Sequence, residues 1–169
     1  MFTKEQYESW LKQPHDISIN KEMIEEFPFL LPRNRWTGKV SEDFDYSYNE
    51  LFAMPDGWKR AFGYEMICEI KEVLEKHEFL YDYRITDIKE KYGGLRWYSM
   101  GAPEELHQVI SKYEELSYNV CLICGKPVEY FTRGYIMYLC ADCAKNTYNG
   151  DEIYPISELE EDNEEGEEE

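Results

Sequence analysis

Apolar residues recur every three or four positions in three segments of the chain, which predicts three amphipathic helices. The first covers about residues 3–13 and ends before Pro14. The longest covers about residues 57–77, where we expect Asp56 to cap the helix and the helix to organise the core. The third begins at Pro103. Its predicted core-facing stripe consists of Leu106, Val109, Ile110, Tyr113 and Leu116.

Between these helices, the apolar residues do not follow a helical period throughout. Residues 17–32 combine apolar side chains with two prolines, which predicts one or two helical turns followed by an irregular buried segment. Tyr83–Met100 is rich in β-branched and aromatic residues around Gly93-Gly94, and this predicts a β-hairpin. Alternate residues of its second strand would face opposite sides, with Leu95, Trp97 and Ser99 on one side and Arg96, Tyr98 and Met100 on the other.

Residues 34–55 show no clean period, which predicts a long loop. A basic stretch that includes Arg35, Trp36 and Lys39 precedes an acidic, tyrosine-rich run from Glu42 to Tyr48. Long loops of this kind are often functional.

These elements predict an α+β fold, in which helices pack on a β-hairpin or a small antiparallel sheet. A chain of 169 residues supports one main hydrophobic core. We expect an α+β domain over residues 1–117, a four-cysteine zinc-ribbon-like module over 118–148, and an acidic tail over 149–169 that is largely disordered.

Charge is unevenly distributed along the chain. The formal net charge is −18, and residues 151–169 hold 11 acidic and no basic side chains, which leaves 25 acidic against 18 basic side chains in residues 1–150. This surplus disfavours non-specific binding to duplex nucleic acid, because that affinity comes from Lys and Arg. It fits a protein that docks on a basic partner, or one that only needs solubility. No apolar run is long enough to span a membrane and no leader is evident, so we expect a cytoplasmic protein.

Four cysteines occur as two C-x-x-C pairs, Cys121/Cys124 and Cys140/Cys143, separated by fifteen residues. Two residues between thiolates allow one tight turn to place both sulfurs about 2.3 Å from the same ion, and two such turns complete a tetrahedron. Gly125 follows the second ligand, where backbone amides must turn toward sulfur. The spacing predicts a structural Zn²⁺ site.

A redox dithiol would need only one cysteine pair, and a catalytic zinc would need an open ligand position, usually with His or carboxylate in the set. Four thiolates therefore favour a structural ion. Cys68 lies in an apolar helical stretch, and we interpret it as a core residue.

The hairpin concentrates Lys89, Lys91 and Arg96 near aromatic residues that include Trp97. Such a surface can stack bases and hold phosphates, or it can be the ordinary outer face of a hairpin. Carboxylates of the preceding loop could hold a divalent cation or belong to a solvated loop; the candidates are Asp43, Asp45 and Glu50. No catalytic triad or phosphate-binding loop is evident, so an enzyme has no support.

Several motifs occur in one order: Asp43-Phe-Asp-Tyr-Ser-Tyr48, Met54-Pro-Asp-Gly-Trp58, Ile88-Lys-Glu-Lys-Tyr-Gly-Gly-Leu-Arg-Trp-Tyr98, and the two cysteine knuckles. Over about residues 43–145 the chain resembles a group of small, uncharacterised phage and prophage proteins of Gram-positive bacteria. This resemblance carries no established activity. It implies a phage accessory protein, a class in which inhibitors of host defence are common.

Our leading hypothesis is a non-enzymatic phage accessory protein that inhibits or redirects a bacterial nucleic-acid-handling enzyme through an acidic surface in the host cytoplasm. A CRISPR effector or another defence nuclease is the candidate partner. The alternative is a zinc-ribbon module that binds nucleic acid or nucleotides directly through the Lys89–Tyr98 hairpin. The predicted partner-binding residues are Asp43, Asp45, Tyr46, Tyr48, Lys89, Lys91, Arg96 and Trp97.

Overall fold

The protein combines α-helices with two small antiparallel sheets in the part of the chain that the computed structural model describes, residues 1–148 and 152–159. This confirms the predicted α+β class. The helices are α1 Lys4–Lys12, α2 Ile17–Glu26, α3 Asp56–Trp58, α4 Tyr64–Lys76, α5 Glu104–Ser117 and α6 Ala141–Thr147. The strands are β1 Arg84–Lys91, β2 Gly94–Met100, β3 Tyr130–Thr132, β4 Tyr138–Leu139 and β5 Ile153–Pro155. Within these described residues, every helix is too short or too polar to cross a membrane.

The predicted long helix is present but changes its winding near its start. A π-helical segment, Lys59–Gly63, joins α3 to α4, so that helical structure continues from residue 56 to residue 76. The predicted capping role of Asp56 is wrong, because Asp56 is already the first helical residue and Pro55 occupies the cap. Its carboxylate instead pairs with the Nζ of Lys59, 2.8 Å away.

The hairpin pairs β1 with β2 across a turn at Tyr92 and Gly93, whose φ angles are 54° and 81°. Two successive positive φ angles match the twist of the strands in a tight hairpin turn. As predicted, Leu95 and Trp97 face the core and Tyr98 is exposed.

The open edge of β2 is covered by α5. The Leu95 amide donates to Ser117 Oγ at 2.8 Å, and the Trp97 amide donates to Glu114 Oε1 at 2.9 Å. These bonds satisfy edge groups that would otherwise be open to pairing. They also bring Ser117 inward and leave Leu116 38% exposed, so the predicted stripe was wrong at Leu116.

One hydrophobic core joins helices α1 to α5 and the inner face of the hairpin, and a second, smaller cluster around Cys121, Leu139 and Cys140 includes Ala144 of α6. A buried polar chain fixes the end of the long loop to this core. Asn20 Oδ1 accepts from Trp10 Nε1 at 3.0 Å and from Asn49 Nδ2 at 2.8 Å, and Asn49 Oδ1 accepts from the Leu51 amide at 2.9 Å. Because buried polar groups need partners, these bonds specify where the loop rejoins the fold.

The second sheet has the strand order β4-β3-β5. The pair β3 and β4, between the cysteine knuckles, agrees with the short strand pair expected of a zinc-ribbon-like module. Strand β5 was not predicted, and it lies in the segment that we had assigned to the acidic tail. It pairs with β3, with Phe131 opposite Tyr154. The other residues of the predicted tail, 149–151 and 160–169, lie outside the described residues, so their disorder stays a prediction.

Candidate metal centre and contact face

The four cysteines of the two knuckles meet at one point. All four sulfur atoms lie within 4.8 Å of one another, and Cys124 Sγ is 3.5 Å from Cys140 Sγ. Four ligands about 2.3 Å from a tetrahedral ion have sulfurs about 3.8 Å apart. The arrangement is therefore of the size that a metal ion requires, and in the described part of the chain it is the one cluster of three or more potential metal ligands.

Each knuckle is shaped by local backbone bonds. The Gly125 amide donates to the Cys121 carbonyl at 2.9 Å, and Gly125 has a φ of +87°. A side chain would strain this backbone, which is why glycine suits the position after the second ligand. In the second knuckle Cys140 caps α6, and its sulfur accepts from the Cys143 amide at 3.4 Å.

The electrostatics of the cluster suit a cation. Burial would raise the pKa of Cys121, but hydrogen bonds from the backbone of Cys140, Cys124 and Ile123 outweigh it and bring the pKa to about 7. Burial and then the neighbouring thiols raise the pKa of Cys143 far above its usual range. Four thiolates cannot be held this close without a positive charge between them, and a divalent ion supplies it.

The first knuckle is docked on the start of the long helix. The Gly57 amide donates to the Leu122 carbonyl at 2.9 Å, and Trp58 Nε1 donates to the Val120 carbonyl at 3.2 Å. A Cβ atom at Gly57 would lie 2.0 Å from the Cys121 carbonyl oxygen. The cysteine centre therefore shares a tight interface with the main core.

The module also contacts the tip of the hairpin. Tyr135 Oη donates to Glu90 Oε2 at 2.7 Å, and Arg96 Nη2 donates to Tyr118 Oη at 2.9 Å. The Tyr138 ring packs so closely on Gly93 that a Cβ there would be 2.5 Å from it. The cysteine centre thus supports the hairpin that we predicted to carry the binding surface.

The three acidic candidates of the long loop are not brought together as a metal site. Asp45 Oδ1 accepts from the Ser47 amide at 3.0 Å, and Asp43 is exposed. Burial raises the pKa of Glu50 to about 7, and the nearby Asp87 charge adds to the effect. Of the two interpretations of these carboxylates, the structure favours the loop, because they do not form a cluster of metal ligands and Glu50 lies beside β1.

The predicted contact residues differ in accessibility. Lys89 and Lys91 are exposed, while Arg96 is half-buried. Tyr48 is 43% exposed. Asp43 and Asp45 are exposed, and Tyr46 lies under Lys21 Nζ, 5.2 Å from its ring centroid.

The prediction that Trp97 is a partner-binding residue was wrong. It is only 4% exposed and donates from Nε1 to Tyr83 Oη at 2.9 Å inside the core.

Sequence reasoning missed the most exposed large aromatic ring beside the hairpin. Trp36 is 85% exposed, and with Arg35 it borders a cleft of about 500 Å³ against β1 and β2. The cleft is completed by Thr86, Asp87, Lys89, Tyr98 and Met100. Its signal in the sequence was the tryptophan among basic residues in a segment without periodicity.

Comparisons with known proteins add no assignment. No family model, no curated protein and no solved structure matches this chain.

Proposed function

We propose that the cysteine centre holds a structural Zn²⁺ ion. Four thiolates form a closed tetrahedral shell without a position for substrate, and soft sulfur ligands suit zinc. The sulfurs of Cys121 and Cys140 are on buried residues, 0% and 2% exposed, as expected for a site that supports folding. Metal analysis of the purified protein should find one zinc per chain. Co²⁺ substitution should give the absorption bands of a tetrahedral thiolate site, whereas iron or copper in the native protein would contradict zinc.

On this scaffold, we propose that the chain is a non-enzymatic phage accessory protein that inhibits or redirects a bacterial nucleic-acid-handling enzyme, such as a defence nuclease. The observation that supports it best is the separation of charge. Outside residues 33–39 and 84–100, the chain holds 34 acidic and 11 basic side chains. An acidic surface of this kind can occupy a basic groove that normally receives phosphates.

The helices α1, α2 and α4 present part of this acidic surface. Together they carry nine glutamates and five lysines. The three helices are adjacent, because Gln6 Nε2 donates to Glu22 Oε2 at 3.0 Å and Lys71 Nζ lies 2.6 Å from Glu26 Oε1. We call their exposed carboxylates the acidic helical face: Glu5, Glu8, Glu22, Glu25, Glu72 and Glu75.

Affinity capture with the tagged protein from a bacterial lysate, followed by competition, tests this proposal. A captured nucleic-acid enzyme should lose nucleic acid when the protein is added, and more so at low salt. Reversing Glu22 and Glu25 to Lys should weaken the competition by about tenfold or more. The control reverses two exposed carboxylates of α5, Glu104 and Glu115. Equal losses in both variants would mean that net charge alone matters and would refute a role for the acidic helical face.

A second candidate function is direct binding of nucleic acid by the Lys89–Tyr98 hairpin. It is favoured by the outer face of the hairpin, where Lys89 lies 5.1 Å from the centroid of the exposed Tyr98 ring. Binding of a short single-stranded oligonucleotide at low salt separates it from the first proposal, because an acidic nucleic-acid mimic has no reason to bind that probe.

A further inference from the structure

The cleft between residues 33–39 and the hairpin has the composition of a base-binding site. Trp36 borders it at 85% exposure, and Tyr98 and Met100 are 43% and 52% exposed. Arg35 and Lys89 border the same cleft, together with the polar side chains of Thr86 and Asp87. Exposed rings beside cations are the pattern with which proteins hold unpaired bases.

The exposure of Trp36 is imposed by a closed turn. Asn34 Oδ1 accepts from the Trp36 and Thr37 amides, both at 2.9 Å, and the Asn34 carbonyl accepts from the Gly38 amide at 2.8 Å. The Asn34 amide in turn donates to the Lys39 carbonyl at 2.8 Å. Because the backbone is fixed on both sides of it, the indole is presented to solvent without the loop having to reorganise on binding.

Charge complementarity favours an anionic ligand at this cleft. Residues 33–39 and 84–100 contain seven of the 18 basic residues of the chain and only two of its 36 acidic residues. The acidic remainder would repel a polyanion, so that a nucleic acid strand is directed to these two segments. The cleft itself is bordered by two cations, Arg35 and Lys89, and one carboxylate, Asp87. Lys89 Nζ lies 2.8 Å from Asp87 Oδ2 and 5.1 Å from the centroid of the Tyr98 ring, so Lys89 stays beside that ring.

We propose that this cleft binds single-stranded nucleic acid, with a base stacked on Trp36 and the neighbouring phosphates held by Arg35 and Lys89. The proposal rests on the second candidate function and moves its centre from the hairpin alone to the Trp36 cleft. A single strand is required because the faces of bases in a duplex are already stacked on each other. Thr86 and Asp87 can form hydrogen bonds with the edge of the base.

Trp36 supplies its own spectroscopic signal. The chain has four tryptophans, and the other three are buried: Trp10 at 0%, Trp58 at 0% and Trp97 at 4% exposure. Titration of the zinc-loaded full chain with a thymidine 12-mer at low salt should quench the emission of Trp36. Trp36→Phe should abolish most of the signal while retaining binding in an anisotropy assay with a labelled 12-mer, because a ring remains available for stacking.

Alanine variants measure how much individual residues of the cleft contribute to the affinity for the 12-mer and to its salt dependence. Trp36→Ala should weaken binding of the labelled 12-mer by about tenfold or more, the typical loss for one stacking ring. The matched control is Tyr81→Ala, which removes an 82% exposed ring that does not border the cleft. Arg35→Ala should lower the slope of log K against log salt by about 0.7, the value for one phosphate contact on a single strand. Lys145→Ala removes an exposed cation elsewhere and should leave the slope unchanged.

Several results would overturn the proposal. If the 12-mer binds but Trp36→Ala binds equally well, the cleft is refuted while the hairpin candidate survives. If the 12-mer does not bind at low salt, both fail, and the acidic-surface proposal is unaffected. Equal affinity for a 12-base-pair duplex would exclude stacking of an unpaired base. If thymidine monophosphate binds as tightly as the 12-mer, the cleft is a nucleotide site. If polyglutamate binds as tightly as the 12-mer, the ligand is an acidic protein.

Discussion

The tight approach of the first knuckle to the long helix predicts a metal-dependent effect of Gly57→Ala. The added Cβ would meet the Cys121 carbonyl oxygen at 2.0 Å and the Leu122 carbonyl carbon at 2.7 Å. Both atoms belong to backbone, which cannot rotate away as a side chain can. The knuckle must therefore move off the helix, and the 2.9 Å bond from the Gly57 amide to the Leu122 carbonyl must lengthen.

The size of the effect follows from three contributions. Overpacking costs about 1–3 kcal/mol, and loss of the hydrogen bond costs about 1 kcal/mol. Alanine regains up to about 1 kcal/mol because it is a better helix former than glycine. We expect a net loss of about 2 kcal/mol in the free energy of unfolding, which lowers Tm by about 4–8 °C for a chain of this size.

Thermal unfolding followed by circular dichroism, with and without zinc, tests the reasoning. In the metal-free protein the knuckle is no longer held in place, so Gly57→Ala should cost at least about 1 kcal/mol less there. Gly63→Ala is the matched control, because its Cβ would meet Tyr7 Oη at 2.1 Å, on α1 and away from the cysteines. Its cost should not depend on zinc. A Gly57→Ala penalty that is the same in both metal states would refute the coupling between the centre and the helix.

Three further predictions concern the ligands, the long loop and the tail. Cys121→Ser or Cys143→Ser should lower the zinc content and expose the module to protease. Cys68→Ala should leave the zinc content unchanged, and an equal loss of zinc from all three variants would contradict the ligand set. The pKa of Glu50 is raised from 4.5 to about 7 in the folded state, so its protonated form favours folding. The resulting contribution to the free energy of unfolding is fully present below pH 4.5 and is lost as the pH rises through 7. Glu50→Gln should therefore stabilise the protein at pH 8 by roughly 1–3 kcal/mol relative to pH 4, measured by urea unfolding at both values; an equal effect at both would contradict it. Deletion of residues 160–169 should leave Tm nearly unchanged and slow association with a captured basic partner mainly at low salt, and an unchanged rate in stopped-flow mixing would exclude steering by the tail.

The sequence was a sufficient guide where structure depends on neighbours in the chain. The helical periods, the hairpin and the two cysteine pairs each depend on local geometry, and the structure has all of them. The predicted role of the glycine pair was only half right, because the positive φ angles of the turn fall at Tyr92 and Gly93, and Gly94 begins β2. Gly125 was predicted to permit a turn toward sulfur and has a φ of +87°. Spacing alone was enough in these cases because the interacting atoms are only a few residues apart.

Sequence reasoning failed where the outcome depends on distant residues. Strand β5 is only three residues long, and its pairing with β3 could not be seen in a segment dominated by acidic composition. Glu50 was grouped with Asp43 and Asp45 because they are close in sequence, but the fold places Glu50 beside β1. The exposure of Trp36 was missed for a different reason, because the turn around Asn34 that presents it is local but has no hydrophobic period that would reveal it.

The cysteine centre occupies a position from which it can support the hairpin without lying on the hairpin's outer face. The same module bonds to the start of the long helix through Leu122 and contacts the hairpin tip through Tyr135 and Tyr138. A two-stranded hairpin is marginally stable by itself, so its outer face needs supports at its edge and at its tip. Helix α5 supports the edge of β2, and the cysteine module supports the tip. Loss of the ion should therefore first loosen the end of the hairpin near Tyr92, while the Trp36 turn, which closes on its own backbone bonds, keeps its shape.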